Sequence, residues 1–244
     1  MPAPRRIGRL ARWPRLQRLA GWLRRTASPT LRMVHRLRQE QPGRLLQPFP
    51  DTSFDRHPVL FGFVRDALKG RDSVRILSFG CSTGEEPITL SRYLPAAHID
   101  AFEINPRSLA IARERAVAEG CDRIDFHLTG DPPREGRYDA IFCMSVLRHG
   151  ELDALRPESC TDILPFARFA ATLAAFDRVL APGGYLLIWG SNYRFADSPL
   201  ADRYTAIPVP GASPHPGPVY GPDDRLIDCN GNALFVFRKD RAAG

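Results

Sequence analysis

Gly80 and Gly84 bound the turn Gly-Cys-Ser-Thr-Gly, which follows the apolar run Arg75–Phe79 and leads into Glu85-Glu86-Pro87. An apolar run that breaks at a glycine-bounded turn and then opens a helix reads as strand, loop and helix N-terminus. Such a junction presents backbone N–H groups and the positive end of a helix dipole beyond the carboxyl end of a strand, where nucleotide-like ligands bind. Glycine suits the turn because it admits positive φ and lets a ligand approach the backbone. Glu103 closes a second apolar run 23 residues after Gly80, near the offset of about 20 at which a carboxylate meets ribose hydroxyls. Cys81, Ser82 and Thr83 stand where the full G-x-G-x-x-G pattern has phosphate-cradling glycines. That substitution points to a nucleoside ligand without phosphates.

These residues need a sheet to hold them. The periodicity predicts a helix from about His57 to Lys69, with Leu60, Phe61, Val64 and Leu68 on one face and Gly70 ending it. Strands follow at 75–80, 98–103, 124–129, 138–145 and 184–190, and helices at 85–95, 106–119 and 162–180, with a last strand at 233–238. This alternation predicts an α/β fold, a mostly parallel sheet with helices on both faces. Ala181-Pro182-Gly183-Gly184 reads as the turn between the long helix and the fifth strand. Residues 208–224 contain six prolines and read as a long loop.

Charge divides the chain of 244 residues unequally. Residues 1–47 carry 12 arginines and one glutamate, a net +11, while the remainder holds 22 basic and 26 acidic residues, a net −4. We therefore read 1–47 as a basic helical arm and 48–244 as the body. From Arg15, the residues Leu16, Leu19, Ala20 and Leu23 take one helical face and arginines the others, and a second helix starts at Ser28-Pro29 and ends before Pro42-Gly43. Peripheral contact with an anionic membrane is one reading of this arm; an extension packed on its own domain is the other.

Cys81, Cys121, Cys143, Cys160 and Cys229 form no C-x-x-C pair, which argues against a disulfide framework or a zinc site and for a reducing, cytoplasmic setting. No metal is expected. No run approaches the roughly 18–20 apolar residues of a membrane span.

Five segments in order carry a resemblance: Leu77-Ser-Phe-Gly-Cys-Ser-Thr-Gly-Glu-Glu-Pro87, Ile99-Asp-Ala-Phe-Glu-Ile-Asn105, Gly130-Asp-Pro-Pro133, Tyr138-Asp-Ala-Ile-Phe-Cys143 and Arg178-Val-Leu-Ala-Pro-Gly-Gly-Tyr-Leu-Leu-Ile188. Together they resemble the motif series of class I S-adenosylmethionine-dependent methyltransferases. The loop from Cys81 to Pro87 is similar in particular to that of chemotaxis receptor glutamate methyltransferases. The resemblance implies a Rossmann-like, seven-stranded sheet and S-adenosylmethionine as cofactor. By position it implies that Gly80, Cys81, Ser82 and Gly84 line the methionine part, that Glu85 bonds to cofactor or loop amides, and that Glu103 holds the ribose. Ile104 and Asn105 would flank the adenine, Asp131 would accept from its exocyclic amine, and Cys143 would complete the cofactor residues.

The chemotaxis pattern stops at the fourth strand, where Cys143-Met144-Ser145-Val146-Leu147-Arg148-His149 replaces Cys-Arg-Asn-Val-Leu, so the acceptor is left undefined: a small molecule, or a carboxylate or hydroxyl of a protein. A base is needed only if the acceptor must lose a proton, and His149, just past the fourth strand, is the candidate. Arg148 could pair with an anionic substrate or stay solvated. Asn192, Tyr193, Arg194, Tyr204, His215 and Tyr220 are expected near the substrate because loops beyond strand ends enclose ligands. Two other functions fit the same residues: a cofactor-binding scaffold without catalysis, and a nucleic-acid methyltransferase gripping phosphates with the arginine arm. The acidic body and the lack of an Asn-Pro-Pro-Tyr type motif disfavour nucleic acid.

Overall fold

The computed structural model describes residues 29–41, 44–228 and 231–240. The chain divides into two compact units, up to Gly43 and from Arg44 onward. In the first, the helix expected after Ser28 is α1 (Pro29–Glu40), with Val34 and Leu37 buried; the helix expected from Arg15 lies outside the described residues. Residues 44–47, assigned above to the arm, belong to the second unit, where Leu46 joins the hydrophobic core.

The second unit alternates strand and helix: α2 (Pro58–Ala67), β1 (Arg75–Phe79), α3 (Glu85–Tyr93), β2 (His98–Glu103), α4 (Pro106–Ala118), β3 (Ile124–Leu128), β4 (Tyr138–Met144), α5 (Gly150–Leu155), α6 (Phe166–Val179) and β5 (Leu180–Trp189). Four short strands follow, β6 (Tyr204–Ala206), β7 (Val219–Tyr220), β8 (Leu226–Asp228) and β9 (Val236–Lys239). Seven of them form one sheet in the order β3-β2-β1-β4-β5-β9-β6. The first five run parallel, and β9 lies antiparallel to both β5 and β6. The expected Rossmann-like sheet with helices on both faces is what the chain forms.

Both faces are buried, which explains apolar runs where a one-sided sheet would alternate. Leu77, Phe79, Ile141 and Cys143 face Phe169, Leu173 and Phe176 of α6. Ile76, Ala140, Phe142 and Leu187 face Phe61 and Val64 of α2, Ile88 of α3 and Leu109 of α4.

Three local expectations change. Residues 181–184 are a bulge inside β5, not a turn before it: the register steps from Tyr138–Leu180 to Ala140–Tyr185. Gly183 takes φ +76°, and a Cβ on Gly184 would stand 3.0 Å from the Asp139 carbonyl, so this crossing needs both glycines. Helix α6 starts at Phe166 because Pro165 occupies its N-cap. Strand β6 escaped prediction because it is three residues long and is recruited by β9; the Tyr204 hydroxyl donates to Asp177 at 3.0 Å and Lys239 pairs with the same carboxylate.

Candidate active site

The parallel strands end side by side, so the residues after β1, β2, β3, β4 and β5 share one edge of the sheet. After β1, Gly80 takes φ +80°, Ser82 +50° and Gly84 +91°. The Gly80 and Cys81 N–H groups both donate to the Phe102 carbonyl, at 2.8 and 2.9 Å, tying the loop to β2. A Cβ on Gly80 would lie 2.4 Å from Val146 Cγ2 and one on Gly84 2.9 Å from the Ala112 Cα. Val146 thus overlies the loop from the β4 side and α4 presses on it from the other. The Cys81 side chain turns into the core, where burial, Glu103 and Glu86 raise its thiol well above its ordinary range.

Glu103 is 8% exposed. Its Oε2 accepts the Ser82 N–H at 2.8 Å and its Oε1 the Asn105 N–H at 2.7 Å. Burial raises its carboxyl above the usual range even though the N–H groups of Asn105, Ser82 and Ile104 pull the other way. Each oxygen takes one N–H from Ser82 or Asn105, and a carboxylate offers about four acceptor sites, so both retain capacity for a ribose hydroxyl. Ile104 lies over Gly130, where an added Cβ would come within 2.5 Å of its Cδ1. Asn105 does not flank that space with its side chain. Its Oδ1 accepts the Arg107 N–H at 3.0 Å as the N-cap of α4, and its Nδ2 donates to Ser108. Asp131 stands at the expected place after β3 but is ion-paired with Arg44.

The two glutamates of the loop divide their work. Arg115 of α4 and the Thr83 hydroxyl engage the buried Glu85 carboxylate, so it pins loop to helix. Glu86, which sequence reasoning passed over, accepts from Ser78 Oγ at 2.7 Å, and burial pushes its carboxyl up to about 7. The only signal was its place in Gly84-Glu85-Glu86-Pro87. Cys143 is fully buried in the core, and burial raises its thiol strongly. Its backbone, not its sulfur, borders the strand end.

Beyond β4, His149 caps α5. Its Nδ1 accepts the Glu151 N–H at 3.2 Å, and its own N–H donates to Asn192 Oδ1 at 2.8 Å. Arg148 is 9% exposed and pairs through Nε with Asp153 at 2.6 Å, so it is not a solvated charge. Of the residues expected near the substrate, Asn192 and Tyr193 act as struts. Asn192 also holds the Pro218 carbonyl, and the Tyr193 hydroxyl bonds Leu164 and Asp224. Tyr220 reaches the Pro157 carbonyl, Arg194 pairs with Asp228, and Tyr204 is at the far edge of the sheet. His215 does reach the strand ends, against Trp189 at 5.0 Å.

His98, Asp100 and Asp125 gather three metal-capable atoms within 4.8 Å, at the opposite end of β2. Asp100 there is already engaged by Arg75, Tyr138 and His127.

A doubly covered parallel sheet, a glycine loop after β1 and a buried acid after β2 define a nucleoside-binding α/β domain. Comparison with known proteins narrows it. Residues 76–184 match the family model described as a methyltransferase domain. The chain is 34% identical over 155 residues to an uncharacterized protein of Synechococcus sp., covering 61% of this chain and 33% of that one. It is 29% identical to a tRNA (guanine-N(7)-)-methyltransferase of Chloroflexus aggregans, covering 60% and 65%. With a demethylmenaquinone methyltransferase of Thermus thermophilus it shares 28% identity over 47% and 46%. The chain spans less than two thirds of the length of each of these relatives. Among solved structures, CalS10, an amino pentose methyltransferase from Micromonospora echinaspora, is 25% identical over 57% of this chain and 50% of that one, with a TM-score of 0.41. Residues 76–184 are similar to a methyltransferase domain, and S-adenosylmethionine is the cofactor such a domain uses.

Proposed function

We propose that the protein transfers a methyl group from S-adenosylmethionine to an acceptor that is a small molecule or a carboxylate or hydroxyl of a protein. The observation that supports this reading above others is the Glu103 carboxylate, buried at the end of β2 and bonded to the Ser82 N–H of the β1 loop. When bound, the cofactor supplies a methyl group already activated on a sulfonium, so the chain has only to align and desolvate the partners. Glu103 would hold the ribose, the backbone from Gly80 to Ser82 would border the methionine part, and Ile104 with Gly130 would shelve the adenine. Asp131 would meet the adenine amine after exchanging its partner Arg44. Because His149 Nδ1 accepts the Glu151 N–H, its Nε2 carries the ring proton; His149 would take a hydroxyl acceptor's proton only at Nδ1, after releasing that cap.

Titration of the purified protein with S-adenosylmethionine, then incubation with labelled cofactor and cell extract, tests the reading. Binding followed by release of S-adenosylhomocysteine is expected. Binding without turnover on any extract would favour a scaffold instead. For the arm we propose peripheral contact with anionic membrane. No helix among the described residues is long and apolar enough to cross a bilayer, and removing residues 1–47 should abolish co-sedimentation with anionic vesicles.

A further inference from the structure

Three buried side-chain atoms have no hydrogen-bond partner among the described residues: His57 Nε2, Ser145 Oγ and Asp153 Oδ1. A desolvated polar atom without a partner costs about 1–3 kcal/mol, so a second party is expected to satisfy each. All three belong to one neighbourhood. Ser145 directly follows β4, held at φ +61° by its N–H donating to the Trp189 carbonyl at 2.6 Å. The Trp189 ring, at the end of β5, lies 4.2 Å from the His57 ring and 5.0 Å from that of His215. Arg56 stands over the same indole at 5.3 Å. The Arg148 terminal nitrogens and Asp153 Oδ1 come together at Gly217, within 3.5 Å of where its Cβ would be, and His215 lies close enough to feel both charges.

The strand order places this neighbourhood. Ribose-side Glu103 ends β2, the glycine loop follows β1, and Ser145 and Trp189 follow β4 and β5, which are next in line. The cluster is therefore on the far side of the loop from the nucleoside shelf, where an acceptor would meet the methyl group. Its chemistry has two parts. Flat rings supply the walls. Burial, Arg56 and His215 push the His57 imidazole down to about 4, and burial chiefly lowers His215, so both rings are neutral at physiological pH. The charges that remain are Arg148 and Arg56 against Asp153, with Glu86, whose carboxyl burial pushes up to about 7, also facing Arg56. Net positive charge in a half-dry site selects an anion, while the unpartnered Asp153 Oδ1 calls for a hydrogen-bond donor.

We propose that Ser145, Arg148, Asp153, Trp189, His57 and His215 form the acceptor subsite, and that it takes a small planar aromatic anion carrying a hydroxyl group. This rests on the methyltransferase reading, and the test separates the two. Wild-type protein saturated with S-adenosylhomocysteine is titrated with 4-hydroxybenzoate, its uncharged methyl ester and the saturated ring analogue 4-hydroxycyclohexanecarboxylate. The aromatic acid should bind at least tenfold more tightly than the other two. Arg148→Gln and Trp189→Ala should each weaken it at least tenfold, with Arg148→Lys intermediate, while S-adenosylhomocysteine affinity, which also reports folding, stays at the wild-type value. An ester that binds as well as the acid, or absence of hydroxybenzoate binding while S-adenosylhomocysteine binds normally, overturns the subsite. Failure of wild type to bind S-adenosylhomocysteine overturns the methyltransferase reading instead.

Discussion

Glu103 and Ser82 are joined by a 2.8 Å hydrogen bond from the Ser82 N–H to Glu103 Oε2, so the acid expected to read the ribose also shapes the loop that borders the rest of the ligand. Glu103→Ala should therefore act twice. Leaving the Ser82 and Asn105 amides without their acceptor should cost about 1–3 kcal/mol of stability, and S-adenosylmethionine affinity should fall at least tenfold. Calorimetric titration beside urea denaturation reads both; wild-type affinity would refute the assignment.

The two loop glycines should respond differently to a methyl group. At Gly80 the added Cβ meets the Val146 side chain, whereas at Gly84 it meets both the Cβ and the backbone Cα of Ala112. Gly80→Ala and Gly84→Ala should each destabilise by at least about 1–2 kcal/mol, since both positions have positive φ. Adding Val146→Ala should restore part of the loss in Gly80→Ala only. Equal rescue of both variants by that change would contradict the packing described.

Asp131 has a competitor for its proposed ligand. The Arg44 and Asp131 side chains are 48% and 58% exposed, and exposed pairs contribute about 0–1 kcal/mol. Arg44→Ala should leave thermal stability nearly unchanged and raise S-adenosylmethionine affinity, whereas Asp131→Ala should lower it. Unchanged affinity in both variants would remove Asp131 from the site.

Glu86 should give the fold a pH dependence. Its native pKa is raised from 4.5 to about 7 by burial, so between those values the native state holds a proton that the unfolded chain has released. The contribution is fully present below about pH 4.5 and is lost as pH rises toward about 7, a fall on the order of 1–3 kcal/mol once partial solvent contact is allowed for. Urea midpoints between pH 5 and 7.5 should decline in wild type and flatten in Glu86→Gln. An identical slope in the variant would assign the titration elsewhere.

Much of the core fold was legible because it is written in local patterns. Apolar runs of strand length, glycines at turns and helix periodicity located β1 to β5 and most of their crossover helices, and parallel topology alone then aligned Gly80, Glu103, Asp131 and Ser145 along one edge. Asn105 and His149 have types suited to ligand chemistry, and each also begins a helix whose N–H groups need an acceptor, a second role that no local pattern announces.

The parallel α/β sheet, the glycine loop and the carboxylate that answers it follow from the order of the residues, because each depends on spacing within one segment or between neighbouring strands. Which partner each acid takes, and what stands opposite the cofactor loop, follow from the folded packing. Arg115 claims Glu85 from α4, Arg44 claims Asp131 across the strand ends, and His57, Trp189 and His215 meet from three distant segments. Those contacts arise from packing between elements far apart in the chain, which no local pattern encodes.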